Sequence, residues 1–375
     1  MDLKETRERI DAVDAQIVSL FAERMELAQD VAANKIALGK AILDPVRERE
    51  KLAEVAAQAP RDLQDQIIAL FSLLMSMNKA RQHQLIQRQQ TQSKVPAMST
   101  EPFPVTASVA CQGSEGAYSQ QAACKLFRCP SISYFDTFEG VFRAVEDGFC
   151  SYGVLPIENS TAGSVNAVYD LMARHNFSIV RSARLKVSHN LLGLPGTSID
   201  SIREVISHEQ AINQCSRFID RHHLAATPVR NTASAAKAVA QNKQPGLAAI
   251  ASLDCAALYG LEPLAENIQD SDSNYTRFVV IAREPIIYPG ANRTSLMLKL
   301  KNEPGSLYRA LERIFALDIN LVKLESRPIP GREFEFLFYF DLECPADTPA
   351  FTTMLASLDD ICNSYTYFGT YAEVL

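Results

Sequence analysis

The chain is poor in the signatures that would announce a metal, a nucleotide or a membrane. Its eight cysteines (Cys111, Cys124, Cys129, Cys150, Cys215, Cys255, Cys344, Cys362) include no C-x-x-C pair and have no histidine-rich partner set. That speaks against zinc and against a disulfide framework, and the thiols read as reduced core residues. A full G-x-G-x-x-G and a Walker sequence are missing, so nicotinamide and ATP sites are unsupported, and without G-x-S-x-G a hydrolase triad has no anchor. No apolar h-region opens the chain and no apolar run approaches membrane length, so a cytoplasmic protein without membrane contact is expected. Positive charge is in deficit as well: 37 Lys+Arg against 44 Asp+Glu leave −7, which argues against non-specific nucleic-acid binding. The expected ligand is small, with no cofactor and no metal.

What is present falls into three stretches, since 375 residues are too many for one core. From Thr6 to Lys40 no Pro occurs and no Gly before Gly39, and Ile10, Val13, Ile17, Phe21, Ala28 and Val31 recur at helical spacing. One helix of that length reaches roughly 50 Å, too long for a small domain to cover, so a partner chain is expected to bury part of it. Arg24 and Lys35 fall within its apolar stripe and Arg7 at the edge. A second helix restarts with Asp44 as N-cap and Pro45 at its first position, and carries Arg47 and Glu48. A third, from about Asp62 to Gln89, has Asn78 on its apolar stripe and Gln82 at the border. Cations on core faces need anions. Either these charges pair with one another, or the excess of cations over Glu48 awaits an anionic ligand.

Residues 91–104 carry three prolines and read as a linker. Strands and helices then alternate from 106 to 283, an α/β domain long enough for two lobes with a cleft between them. LPIENSTAGSV is its centre: a buried strand ending near Ile157 delivers Glu158, Asn159, Ser160, Thr161 and Ser164 into a turn. Val165, Val168, Leu171 and Met172 then recur at helical spacing, so the hydroxyls are expected at a helix N-terminus, as an anion site or an ordinary cap. GSEGAYS is a second strand-to-helix turn, and NTASAA a third with Thr232 as its cap. His208, beside Glu209, reads as a loop or capping residue rather than an acid. NYTRF puts Thr276 and Arg277 at the mouth of a strand. After Pro289-Gly290 the pattern becomes strand (295–300), helix (305–317), strand (319–325), strand (333–342), helix (348–361) and strand (365–371). That βαββαβ order is the ferredoxin-like split unit.

Residues 4–85 resemble the all-helical class of chorismate mutase, an intertwined dimer, in their arginines, their lysine, the D-x-x-R-E loop and the final glutamine. The resemblance implies that Arg7 (from the partner), Arg24 and Arg47 hold the carboxylates of chorismate, that Lys35 and Gln82 bond its ether oxygen, and that Asp44 and Glu48 hold its hydroxyl. Asn78 stands where several members have Ser. Residues 106–283 resemble the prephenate dehydratase domain, with GSEGAYS, PIENSTAGSV, SHEQAINQC, NTASAA and NYTRF in order. This implies two lobes of the periplasmic-binding-protein type, Thr276 as the residue closest to catalysis, and Glu158 as a competing proton source. Asn159, Ser160, Thr161, Ser164, Gln214, Thr232, Ser234, Arg277 and Phe278 would line the pocket, with Arg277 on the pyruvyl carboxylate. The C-terminal stretch resembles an ACT domain, whose phenylalanine motifs would be Asn302, Gly305, Ser306, Leu307 and Tyr308, and Glu325, Ser326, Arg327 and Pro328. The first departs from the common G-A-L-V as GSLY.

The expected architecture is therefore multidomain: an all-α unit over 1–90, a linker over 91–104, an α/β two-lobed domain over 105–284 and an α+β ferredoxin-like domain over 292–375. The implied function is that of a bifunctional chorismate mutase and prephenate dehydratase inhibited by L-phenylalanine, working as a homodimer or higher homo-oligomer on chorismate and prephenate. A dehydratase preferring arogenate and a non-catalytic amino-acid sensor stay open as rivals.

Overall fold

The structure, a computed structural model, describes residues 2–37, 45–90, 98–329, 331 and 334–375. The N-terminal unit consists of α1 (Leu3–Ala37), α2 (Pro45–Gln58) and α3 (Gln64–Gln90), the last entered through a 3-10 turn at Arg61–Leu63. Both α1 and α2 pack on α3. Much of the α1 stripe remains uncovered within one chain: Ile10, Val13, Ile17 and Leu20 are each more than half exposed.

The first lobe follows as β1 (Thr106–Gln112), α4 (Tyr118–Leu126), β2 (Cys129–Phe135), α5 (Phe138–Glu146), β3 (Tyr152–Asn159), β4 (Gly163–Ser164), α6 (Asn166–Met172) and β5 (Ser178–Lys186). The turn before α4 turns back sharply, with Gly116 at φ +88°, and a Cβ there would press on Cys255 Sγ. The second lobe is β6 (Asn190–Gly193), β7 (Glu204–Ser207), α7 (Glu209–Gln214), α8 (Ser216–Arg221), β8 (Ala225–Pro228), α9 (Thr232–Asn242), β9 (Leu247–Ala251), α10 (Leu253–Tyr259) and β10 (Glu262–Ala265). Its five strands run β10-β6-β9-β7-β8, and the chain then returns to the first lobe as β11 (Tyr275–Ala282).

The C-terminal unit is β12 (Arg293–Leu300), α11 (Ser306–Ala316), β13 (Asn320–Pro328), β14 (Phe336–Glu343), α12 (Pro349–Ile361) and β15 (Cys362–Val374), the expected βαββαβ order. Of the strand expected over 333–342, the part from Phe336 on forms β14, an interior strand between β13 and β12; Phe334 lies in a turn and residue 333 lies outside the described residues. The end of β15, longer than the pattern indicated, pairs in parallel with β5, so first lobe and C-terminal unit share one sheet, β13-β14-β12-β15-β5-β11-β3-β1-β2. Their cores merge too: Phe368 stacks on Phe177 at 5.1 Å and Tyr339 meets Tyr169 edge-on at 4.8 Å.

Three local expectations are corrected. The strand β3 runs on through Asn159 and β4 folds back on it, so 158–164 is a hairpin and not a helix N-terminus. The helix that follows is short and starts at Asn166 with Val165 uncapped by any side chain. Asn231, not Thr232, caps α9, in a capping box with Ser234. Of the stretch expected as a linker over 91–104, residues 91–97 lie outside the described residues, whereas Met98 bridges to Ile287 and Phe103 packs 4.9 Å from Phe127, so 98–104 belongs with the first lobe.

Candidate functional site

The chain crosses between lobes twice, at 187–189 and at 266–274, and a cavity of about 430 Å³ opens between them. Asn159, Ser164, Gln214, Thr232, Thr276 and Phe278 line it. Sheet register explains two of these: Asn159 of β3 lies directly opposite Thr276 of β11 on the same face. Asn159 Nδ2 donates to Thr276 Oγ1 at 2.9 Å and to Asn274 Oδ1 at 2.8 Å. Its Oδ1 accepts from the backbone N–H groups of Thr161 and Ala162, at 3.0 and 2.9 Å, and from the Thr161 hydroxyl. Thr161 therefore supports the site from outside the lining. Ser160 closes the hairpin by donating to the Ser273 carbonyl, and Ser234 is spent in its capping box.

Successive strand residues point to opposite faces. Glu158 and Arg277, registered partners of each other, are thus turned away from Asn159 and Thr276 and toward the C-terminal unit. Arg277 is buried against Asp341 of β14, which raises its pKa against the opposing effect of burial, and its Nε lies 3.9 Å from Glu158. Lys323 Nζ of β13 reaches Glu158 at 2.8 Å and the Ser164 hydroxyl at 2.8 Å. From the same face of β13, Glu325 accepts from Ser164 and Arg327 forms a two-bonded pair with Asp170, each bond 2.9 Å. Neither Glu158 nor Arg277 lines the cavity, so the expected contact of Arg277 with substrate carboxylate is corrected: its guanidinium is committed to Asp341.

Residues outside the expected set complete the cavity. Arg230, paired with Asp136 at 2.8 Å, lines it, as do Tyr118, His208 and His189. His208 caps α7, its Nδ1 accepting from the Gln210 N–H. His189 is 3% exposed, and burial lowers its pKa. A histidine inside VSHNLL has no sequence signal beyond its type.

In the helical unit, Arg24 is half-buried on α1, donates to the Leu74 carbonyl of α3 at 3.1 Å, and has its pKa lowered by burial. Asn78 of α3 keeps a buried Oδ1 that has no hydrogen-bond partner among the described residues, and Glu48 is half-buried on α2. Arg47 lies 3.7 Å from Glu50. Arg7 and Lys35 are 28 positions apart on α1, about 42 Å at 1.5 Å per residue, so one chain cannot bring both to one site. Asp44 and the Gln82 side chain lie outside the described residues.

In the C-terminal unit a cavity of about 300 Å³ is lined by Asn302, Gly305, Ser306, Leu307 and Tyr308, together with aromatic residues of 334–338. Glu325, Ser326, Arg327 and Pro328 are not part of it; Glu325 and Arg327 face the first lobe instead. Among the described residues no group of three or more His, Cys, Asp or Glu could hold a metal ion, and no helix is long and apolar enough to cross a membrane.

Comparison with known proteins matches residues 6–83 to the family "Chorismate mutase type II" and residues 109–286 to "Prephenate dehydratase". The bifunctional chorismate mutase/prephenate dehydratase of Escherichia coli (strain K12) is 32% identical over 374 residues, covering 97% of this chain and 95% of that protein. Arogenate dehydratase/prephenate dehydratase 2 of Arabidopsis thaliana is 41% identical over 277 residues, 70% of this chain and 72% of its own. Among solved structures, a prephenate dehydratase in complex with L-Phe from Arthrobacter aurescens matches with a TM-score of 0.65 and 27% identity, over 72% of this chain and 90% of that one. A protein described as a novel type of quorum quenching acylase matches at 0.65 and 31%, over 70% of this chain and 97% of its own.

Proposed function

This chain belongs to the bifunctional chorismate mutase/prephenate dehydratase family, and we propose that it rearranges chorismate to prephenate in its helical unit and converts prephenate to phenylpyruvate in its cleft, under feedback by L-phenylalanine. The observation that carries the reading is the pairing of Asn159 with Thr276 in a cleft of substrate size, on a chain that also has the mutase helices.

The first reaction, a [3,3] rearrangement, needs no nucleophile. It needs the diaxial conformer held and charge on the ether oxygen stabilised. Arg24 and Arg47, with Arg7 of a second copy, would hold the carboxylates; Lys35 and Gln82 would meet the ether oxygen; Asp44 and Glu48 would meet the hydroxyl. Asn78 would donate beside them. The length of α1 and its uncovered stripe support a homodimer joined through these helices.

In the second reaction the ring C–COO⁻ bond breaks to release CO2, its electron pair completes the aromatic ring, and the C–O bond breaks to release hydroxide, which takes one proton to become water. Thr276 is the group facing that oxygen, donating its hydroxyl hydrogen as charge develops. Glu158, in ion pairs on the other face of β3, serves the site as an acceptor and anchor rather than as a proton donor. Arg230 and the starts of α4 and α9 are the positive groups available to the substrate carboxylates.

The C-terminal unit has the strand order of an ACT domain, and its 300 Å³ cavity at Asn302–Tyr308 suits an amino acid with a ring against the aromatics of 334–338. Effector binding there would shift β13, whose Lys323 and Glu325 touch the hairpin carrying the dehydratase site and whose Arg327 holds Asp170 of the helix that follows it, giving a coupling free energy between the two. The test is an assay of the purified chain on chorismate, following chorismate, prephenate and phenylpyruvate with and without L-phenylalanine. Phenylpyruvate that falls with phenylalanine is expected; prephenate accumulating unchanged would end the dehydratase assignment, and arogenate as a parallel substrate decides between the two dehydratase specificities of the plant relatives.

A further inference from the structure

Four side chains around Thr276 close a ring of hydrogen bonds. Asn159 Nδ2 donates to Asn274 Oδ1, Asn274 Nδ2 to Gln214 Oε1 at 3.0 Å, Gln214 Nε2 to Thr161 Oγ1 at 2.7 Å, and Thr161 Oγ1 to Asn159 Oδ1 at 2.7 Å. The direction of the ring is forced. Two backbone N–H groups, which can only donate, face Asn159 Oδ1, so its amide nitrogen must face Asn274 and Thr276. Asn274 is then turned with its nitrogen toward Gln214, and Gln214 Oε1 can only accept. The remaining neighbour of that oxygen is His189 Nε2 at 2.9 Å, which must therefore carry a hydrogen.

Three features give this arrangement a role beyond packing. Gln214 ends α7 in the second lobe, whereas Asn159, Thr161 and Asn274 belong to the first lobe or its crossover, so the ring spans the cleft. His189 sits in the other crossover, tied by its own backbone to Gln269 and Ile268 at 2.9 Å each. And since Thr276 Oγ1 already accepts from Asn159, its own hydrogen is free for the cavity it lines.

We propose that His189 is a positioning residue of the dehydratase step: its Nε2–H holds Gln214 in a cross-cleft ring that braces Asn159, already oriented by two backbone N–H groups, against Thr276 and so keeps the Thr276 hydroxyl hydrogen aimed at the departing hydroxide. Asn274 serves the same ring. The inference rests on the dehydratase reading of the cleft and adds to it what holds the threonine and its donor in place across the two lobes.

The experiment compares His189→Leu, which removes the donor, with His189→Gln, whose amide nitrogen can replace Nε2–H, in the full-length protein. The Leu variant is expected to lose about 10- to 100-fold in kcat on prephenate with KM within about two-fold, a penalty typical of a displaced catalytic group. The Gln variant recovers most of that loss, and chorismate turnover by the same chain stays unchanged as an internal check of folding. Equal loss in both variants, or none in the Leu variant, would overturn the proposal. Should the Leu variant fail to fold, nitrogen NMR of the wild-type imidazole decides: the Nε2–H tautomer is required, and the Nδ1–H tautomer refutes the ring. If wild-type protein does not turn over prephenate at all, it is the dehydratase reading that fails, while the tautomer still reports on the ring.

Discussion

Buried polar side chains carry this site, and their value depends on every one being satisfied. His189 shows the consequence for stability. Burial lowers its pKa from the ordinary 6.5, and the titratable group facing it, Tyr118, is itself pushed up by burial and neutral throughout. The unfolded chain then binds a proton that the folded chain resists, so the contribution is intact above about pH 6.5 and is lost as pH falls toward the folded value. Melting temperatures should drop more steeply from about pH 7.5 to about pH 5.5 in the wild type than in His189→Gln, the comparison cancelling the carboxylates common to both. Equal slopes would mean that the imidazole titrates as freely as in the unfolded chain.

Among the elements, β15 does two things at once: it closes the C-terminal sheet beside β12 and extends the first-lobe sheet beside β5. It leaves β12 after Tyr371 and takes up β5 from Ala372; at Gly369, just before this exchange, φ is +143° and an added Cβ would overlap the Ile179 carbonyl oxygen of β5. Glu373, just beyond, is clasped by Arg184 at 3.1 Å and Arg293 at 3.2 Å. Gly369→Ala must push β15 from β5 and should cost about 1–3 kcal/mol, as overpacking does. The denaturant midpoint should fall, and inhibition by phenylalanine should weaken while mutase turnover is kept. Wild-type stability in the variant would show that the joint is loose.

For the whole molecule, the three units are unequally dependent. The helical unit is joined through 91–97 and touches the C-terminal unit by α3 against α12. First lobe and C-terminal unit share a sheet and a core in which Tyr339, Phe368 and Tyr371 are buried with Val168, Tyr169 and Ile179. Removing residues 1–97 should leave a folded protein that turns over prephenate. Ending the chain at 291 uncovers the β5 edge and that apolar surface, an invitation to aggregate. Size-exclusion chromatography and a prephenate assay on the two truncations test this; a soluble, active chain ending at 291 would refute it.

Much of this was legible in local pattern. The 3.6-residue period of 6–37, the alternation of EFEFLFYFDL and the turn residues of GSEGAYS and NTASAA concern neighbours in sequence, so the sequence by itself determined the N-terminal helices, the alternation of strands and helices in the two lobes and the βαββαβ order. Alternation also separates Glu158 and Arg277 from Asn159 and Thr276, but it cannot say which face of β3 meets a cleft and which meets another domain. That was decided by non-local pairing: β11 returning between β3 and β5, and β15 joining β5. The same pairing brought His189, Gln214 and Asn274 around Thr276 and carried Lys323 and Glu325 to Ser164. The physical reason is that hydrogen-bonded ladders between distant segments are set by the packing of whole faces, of which each local stretch records only its own half.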